Sequence, residues 1–133
     1  MSSSRLQHLR QRAFTRQGCR CFYCGQLMCT GDTHLFAQKL GITARQAKWL
    51  RCTAEHLRAR QDGGRDTADN IVAACFWCNT RRHLGRPKRA PDANTFATRV
   101  RGRVARGKWH PAGLCALESV SPAQASDLSP CAP

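Results

Sequence analysis

Two Cys-x-x-Cys pairs, Cys21-Phe22-Tyr23-Cys24 and Cys75-Phe76-Trp77-Cys78, constrain this chain more than any other feature. Two residues between thiolates let both sulfurs reach one tetrahedral Zn²⁺, and two such pairs complete a Cys₄ site. A single pair would leave a redox motif open; two pairs point to zinc. Four thiolates leave no position for water, so the ion is expected to be structural, contributing on the order of 10 kcal/mol to folding. It would tie residue 21 to residue 78 and gather everything between them around one point. Of the other cysteines, Cys19 competes only with Cys21, and Cys19-Arg-Cys21 is too tight for the usual spacing. Cys29, Cys52, Cys115 and Cys131 read as small core hydrophobes or tail residues.

Charge supplies the second constraint. The 133 residues carry 22 Lys and Arg against 8 Asp and Glu, a formal +14. That length suits one domain with tails. Every basic residue lies between Arg5 and Lys108, alongside six acids: Asp32, Glu55, Asp62, Asp66, Asp69 and Asp92. Residues 111–133 hold only Glu118 and Asp127. Most of the cations are Arg, whose planar donor fork matches phosphate oxygens. A nucleic-acid partner follows as the expectation, with solubility as the bland alternative. The longest apolar run, residues 71–77, is far short of the roughly 20 residues that span a membrane. The polar, basic start lacks an apolar signal core, so a cytoplasmic location with reduced thiols is expected.

The pattern predicts a helix over 5–17, from Leu6, Leu9, Ala13 and Phe14, stopped by Gly18. Residues 19–25 read as a knuckle, and 26–42 carry little periodicity. Thr43 caps a predicted helix over 44–51. Residues 53–57 and 71–74 read as strands around a polar loop with Gly63-Gly64. A helix is predicted from Cys75 to about Leu84, ended by Gly85 and Pro87. The stretch 99–106 alternates enough for a strand and suits a disordered arm equally well. Residues 111–133, rich in Ala, Ser and Pro, read as a disordered tail. The implied division is a basic helix over 1–18, a core over 19–86, a basic extension over 87–110 and the tail.

Between the knuckles lies the chemistry. Glu55 is the only Glu among the first 117 residues, and it adjoins His56. A carboxylate in a polyanion-binding chain repels phosphate unless a cation lies between them, which suggests a hard divalent metal. Histidine's ordinary pKa of about 6.5 allows it to take a proton from water near neutrality. In order, the chain then presents Gly63-Gly64, Asn70, Cys78-Asn79 and His83.

This constellation, over residues 19–86, resembles the HNH, or ββα-metal (His-Me finger), endonucleases. The resemblance implies a small α+β fold: a ββα-metal finger, made of a short β-hairpin and a helix, with a Cys₄ zinc knuckle and added helices. It implies that Glu55 and Asn79 hold one Mg²⁺ or Mn²⁺ and that His56 activates the attacking water. Asn70 would pin the loop and orient His56. His83, four residues beyond Asn79 on the same helix face, would be a metal ligand or phosphate contact. Double-stranded DNA is the implied substrate. Arg58, Arg60, Arg65, Arg81, Arg82, Arg86, Lys88 and Arg89 are the expected backbone contacts, and a homodimer is one route to a double-strand cut. Two departures stand out. Glu55 replaces the more usual Asp, and Asn79 stands where many members carry His, which leaves the division between Asn79 and His83 open. The competing reading is a zinc-stapled nucleic-acid-binding module without catalysis. Read alone, His56 would be an ordinary histidine, Asn70 a turn residue and Asn79 a helix cap.

Overall fold

The computed structural model of the protein describes residues 2–84 and 90–111. Helix α1 spans Ser2–Arg16, α2 Thr33–Leu40 and α3 Ala44–Trp49. Strands β1 (Cys52–His56) and β2 (Ile71–Cys75) precede α4 (Phe76–His83) and α5 (Ala93–Ala105). The result is the expected small α+β arrangement, one antiparallel hairpin surrounded by helices. In its register Cys52 faces Cys75, Glu55 faces Val72 and His56 faces Ile71. No described helix is long and apolar enough to cross a membrane.

The periodic segments fold as their patterns require. In α1 the apolar stripe buries Ala13 and Phe14. Just past its end, the Gln17 amide brackets Ala73 of β2, donating to its carbonyl at 2.8 Å and accepting from its N–H at 2.9 Å. Those bonds occupy backbone groups that an edge strand would otherwise expose. Thr43 caps α3 in a full capping box with Gln46. Every side chain of β2 is buried, and the core is filled by Phe14, Tyr23, Leu50, Ile71 and Val100.

Two segments differ from their sequence reading. Residues 26–42 contain α2, bracketed by Asp32, whose carboxylate accepts from the His34 and Leu35 N–H groups, and by Gly41. The helix is too short for periodicity to announce it, so the caps are its signal. The stretch 99–106 is neither strand nor arm. It continues α5, which starts at Asp92, whose carboxylate caps the Asn94 and Thr95 N–H groups. Alternating arginines give 99–106 its period of two. The buried Phe96, Ala97 and Val100, with Val104 packed against them, follow the helical spacing. Phe96 sets its ring edge-on to Tyr23 at 4.9 Å, so α5 closes over the knuckle. The expected helix breakers Gly85 and Pro87, and nearly all of the expected tail, lie outside the described residues.

Candidate active site

The four knuckle cysteines meet. The Sγ atoms of Cys21, Cys24, Cys75 and Cys78 all lie within 4.8 Å of one another, and Cys24 and Cys75 are 3.9 Å apart. Thiolates about 2.3 Å from a tetrahedral ion sit on the order of 3.8 Å apart, so the cluster fits one metal ion. Cys75 does double duty, because its sulfur also caps α4 by accepting the Cys78 N–H. The Cys75 N–H points at Cys21 Sγ (3.3 Å), and the Trp109 indole N–H donates to Cys78 Sγ at 3.2 Å. Such donors orient sulfur ligands and offset their charge. The thiols also work against one another. Hydrogen bonds, first from Cys21, hold Cys24 far below its ordinary pKa, while burial and then Cys21 push Cys78 far above its own. A dication at the centre would resolve that conflict by letting all four ionise.

A second cluster forms where β1 ends. Successive strand residues face opposite sides. Thr53 and Glu55 therefore turn toward α4, and His56 turns toward the loop. Glu55 is 2% exposed. Its Oε2 accepts from the Tyr23 hydroxyl at 3.3 Å and lies 3.5 Å from Arg82 Nη1; its Oε1 lies 3.2 Å from His83 Nε2. Burial, then the Glu55 charge, pushes the Tyr23 hydroxyl well above its ordinary pKa, which keeps it a donor. Asn79 donates its amide N–H₂ to Thr53 Oγ1 (3.0 Å) and to the Ala54 carbonyl (3.3 Å). Its Oδ1 is then the acceptor end of a fixed amide. Glu55, His56, Asn79 and His83 line one cavity of about 400 Å³, together with Arg60 and Gln61.

Arg82 is the main surprise. Expected on the DNA backbone, it is 3% exposed. Its guanidinium donates to the carbonyls of His56 (2.8 Å), Leu57 (2.9 Å) and Pro91 (3.1 Å) while facing Glu55. The chain thus carries its own counter-charge for Glu55, and this carboxylate needs no metal for charge balance. What bears on a metal is the donor set: one carboxylate oxygen, one imidazole and one amide oxygen on a shared cavity.

On the other face of β1, His56 Nε2 lies 2.8 Å from Asp66 Oδ1. Arg60 grips both oxygens of Asp66, at 3.1 and 3.2 Å, and its Nε approaches the same imidazole nitrogen at 3.2 Å. One nitrogen cannot donate and accept at once. The shorter contact to a carboxylate places hydrogen on Nε2 and leaves the lone pair on Nδ1. The His56 hydrogen bond, with Arg60 beside it, holds the Asp66 carboxyl below its usual pKa.

The loop that carries Asp66 is pinned by Asn70, which accepts the Arg58 N–H at 2.8 Å and donates to the carbonyls of Arg58 and Arg65. Gly64 passes so close that an added Cβ would overlap the Arg58 carbonyl. Arg58, Arg60, Arg65 and Arg81 are exposed, and Arg81 stacks its guanidinium on Trp77 at 3.8 Å. Arg86, Lys88 and Arg89 lie outside the described residues. Sequence reasoning missed Tyr23 as a partner of Glu55, Asp66 as a partner of His56, and Trp109 as a donor to a thiolate. Asp66 and Trp109 are far from their partners in the chain, and no local spacing marks them.

The family model for HNH endonuclease matches residues 42–85. No curated protein and no solved structure matches the chain. The matched span contains both strands of the hairpin, α4, the second cysteine pair and all of Glu55, His56, Asn70, Asn79 and His83, whereas Cys21 and Cys24 come from outside it. Residues 42–85 are therefore similar to the HNH endonuclease family and carry that family's hairpin-and-helix fold.

Proposed function

We infer that this chain is a metal-dependent endonuclease that hydrolyses phosphodiester bonds of double-stranded DNA to 5′-phosphate and 3′-hydroxyl ends. The observation that carries the reading is the convergence of Glu55, His56, Asn79 and His83 on one cavity in a strongly basic chain. His56 is the general base: with Nε2–H given to Asp66, Nδ1 takes the proton from the attacking water. Water oxygen bonds to phosphorus as the bond to the 3′ oxygen breaks, and the leaving oxygen is protonated from solvent. Glu55, Asn79 and His83 are the residues to hold Mg²⁺ or Mn²⁺, which supplies charge to the phosphate and the leaving oxygen. Asn70 positions His56 through the loop, and exposed Arg58, Arg60, Arg65 and Arg81 meet the backbone. Zn²⁺ suits the four thiolates as a structural ion.

One observation favours a second reading, a binding module without catalysis: Glu55 is buried and already paired with Arg82, as a purely structural carboxylate would be. Supercoiled plasmid incubated with Mg²⁺ or Mn²⁺ separates the two. The nuclease nicks or linearises it, and His56→Ala lowers the rate by about 10²–10⁴. A wild-type chain that leaves plasmid intact with either ion is a binder, and a variant that cuts equally well removes His56 from the mechanism.

A further inference from the structure

Beside the catalytic cavity lies a second one, of about 510 Å³, between α1 and the start of β1. Its walls include Gln7 and Arg10 from α1, Thr30, and Arg51, Thr53 and Ala54. No acid lines it, and α1 contains none. Arg10 Nε is one of only three buried side-chain polar atoms, among the described residues, that lack a hydrogen-bond partner. A buried donor without an acceptor is rare in a folded protein. Arg51 also borders the cavity, and its guanidinium rests over the Phe76 ring at 5.2 Å. Two arginines lining a concave, acid-free space suit a phosphate.

The cavity neighbours the catalytic one. It shares Arg51 and Thr53 with an intermediate cavity that also touches Asn79 and His83. Asn79 and His83 in turn border the cavity of Glu55 and His56. The two outer cavities border the two ends of β1. From Arg51 to Glu55 is four residues, about 13 Å of strand. The rise of about 3.4 Å per nucleotide runs along the duplex axis, and neighbouring phosphates of one winding strand lie about twice that far apart, so the two ends are roughly two nucleotides apart.

We propose that Arg10 and Arg51 form a phosphate-binding site for the nucleic-acid strand, holding a backbone phosphate about two nucleotides from the one at Glu55 and His56. Arg10 lies outside the segment matched to the family, so the site is an addition made by α1. Only the distance from the cut rests on the nuclease reading; binding at the site does not.

The test uses the full chain carrying His56→Ala, so that DNA survives, and measures affinity for a short labelled duplex by fluorescence anisotropy. Arg10→Gln and Arg51→Gln are compared with Arg12→Gln, which removes the same charge from an exposed position on α1. The two cavity variants should each weaken binding roughly fivefold or more and lower the log–log salt slope by about one, while Arg12→Gln stays within about twofold. If all three behave alike, the proposal is overturned. Bound zinc and circular dichroism report folding. Should Arg10→Gln unfold, the exposed Arg51→Gln decides alone. Replacing one phosphate at a time by a neutral methylphosphonate should reproduce the loss at one position, where Arg51→Gln then adds nothing; loss spread evenly along the strand overturns the site. Inorganic phosphate binding that the variants abolish, with duplex affinity unchanged, assigns the cavity to a free anion and overturns the strand reading. A chain that binds this way but does not cut plasmid keeps the site and loses only its distance from a cut.

Discussion

Arg82 Nη1 lies 3.5 Å from Glu55 Oε2, and the two side chains are 3% and 2% exposed. The pair links α4 to β1, and the same guanidinium binds the backbone carbonyls of His56 and Leu57, so it sets the strand end on which the site is built. Removing one partner of a buried pair leaves the other charge uncompensated. Arg82→Met should therefore lower stability by about 3–5 kcal/mol. Urea unfolding measures it, and a loss under about 1 kcal/mol would show that Arg82 is no clamp.

His56 and Asp66 should act as one unit. Asp66→Asn keeps the shape but supplies an amide that can donate to Nε2 and favour the other tautomer. Plasmid nicking should fall at least about tenfold, with Asp66→Glu recovering part of it. The ¹⁵N shifts of His56 give an independent readout: hydrogen on Nε2 in the parent, a shift toward Nδ1 in Asp66→Asn. An unchanged tautomer would sever Asp66 from the mechanism. The sign of the pH effect follows from the direction of the shift. The Asp66 carboxyl is depressed in the folded state. Its contribution to stability is therefore fully present above its unfolded pKa of about 3.9, and is lost as the pH falls through its lower folded value.

The thiolate cluster makes a quantitative prediction. One equivalent of zinc should accompany the purified chain, and chelation should abolish the far-ultraviolet helix signal. Trp109→Phe keeps most of the ring but loses the N–H that reaches Cys78. Zinc affinity should drop about tenfold with the fold retained, measured by competition with a chromogenic chelator. Equal affinity would mean that Trp109 only packs.

The loop offers a steric test. At Gly64 a methyl group would collide with the Arg58 carbonyl, a backbone atom that cannot swing aside. Gly64→Ala should cost about 1–3 kcal/mol and disturb Asp66, so nicking should fall with stability. Thermal unfolding and the plasmid assay read both, and a variant equal to wild type would show that the loop relaxes freely.

Much of this was legible in the residues. Thr43 and Gln46 spell their own capping box, the paired cysteines announce their convergence, and Glu55-His56 with Asn79 marks the strand end and helix that border the candidate site. Each signal is local, because the spacing of a few residues fixes which side chains share a turn or a face. The stretch 99–106 misled for the same reason. Its alternating arginines carry a period of two, and only a window opening at Asp92 reveals the Phe96–Val100–Val104 stripe.

What the sequence alone determined is the list of reactive groups and the elements that carry them. Their partners were decided by the tertiary structure. Arg82 looks like its neighbour Arg81, yet one is buried against Glu55 and the other lies on Trp77 at the surface, because residues adjacent on a helix are turned about 100° apart and meet different surroundings. Asp66 reaches His56, Tyr23 reaches Glu55 and Arg10 comes to share a cavity with Arg51 only once the hairpin closes and α1 docks on it. Such pairings depend on how separate elements pack, and short-range spacing carries no record of that.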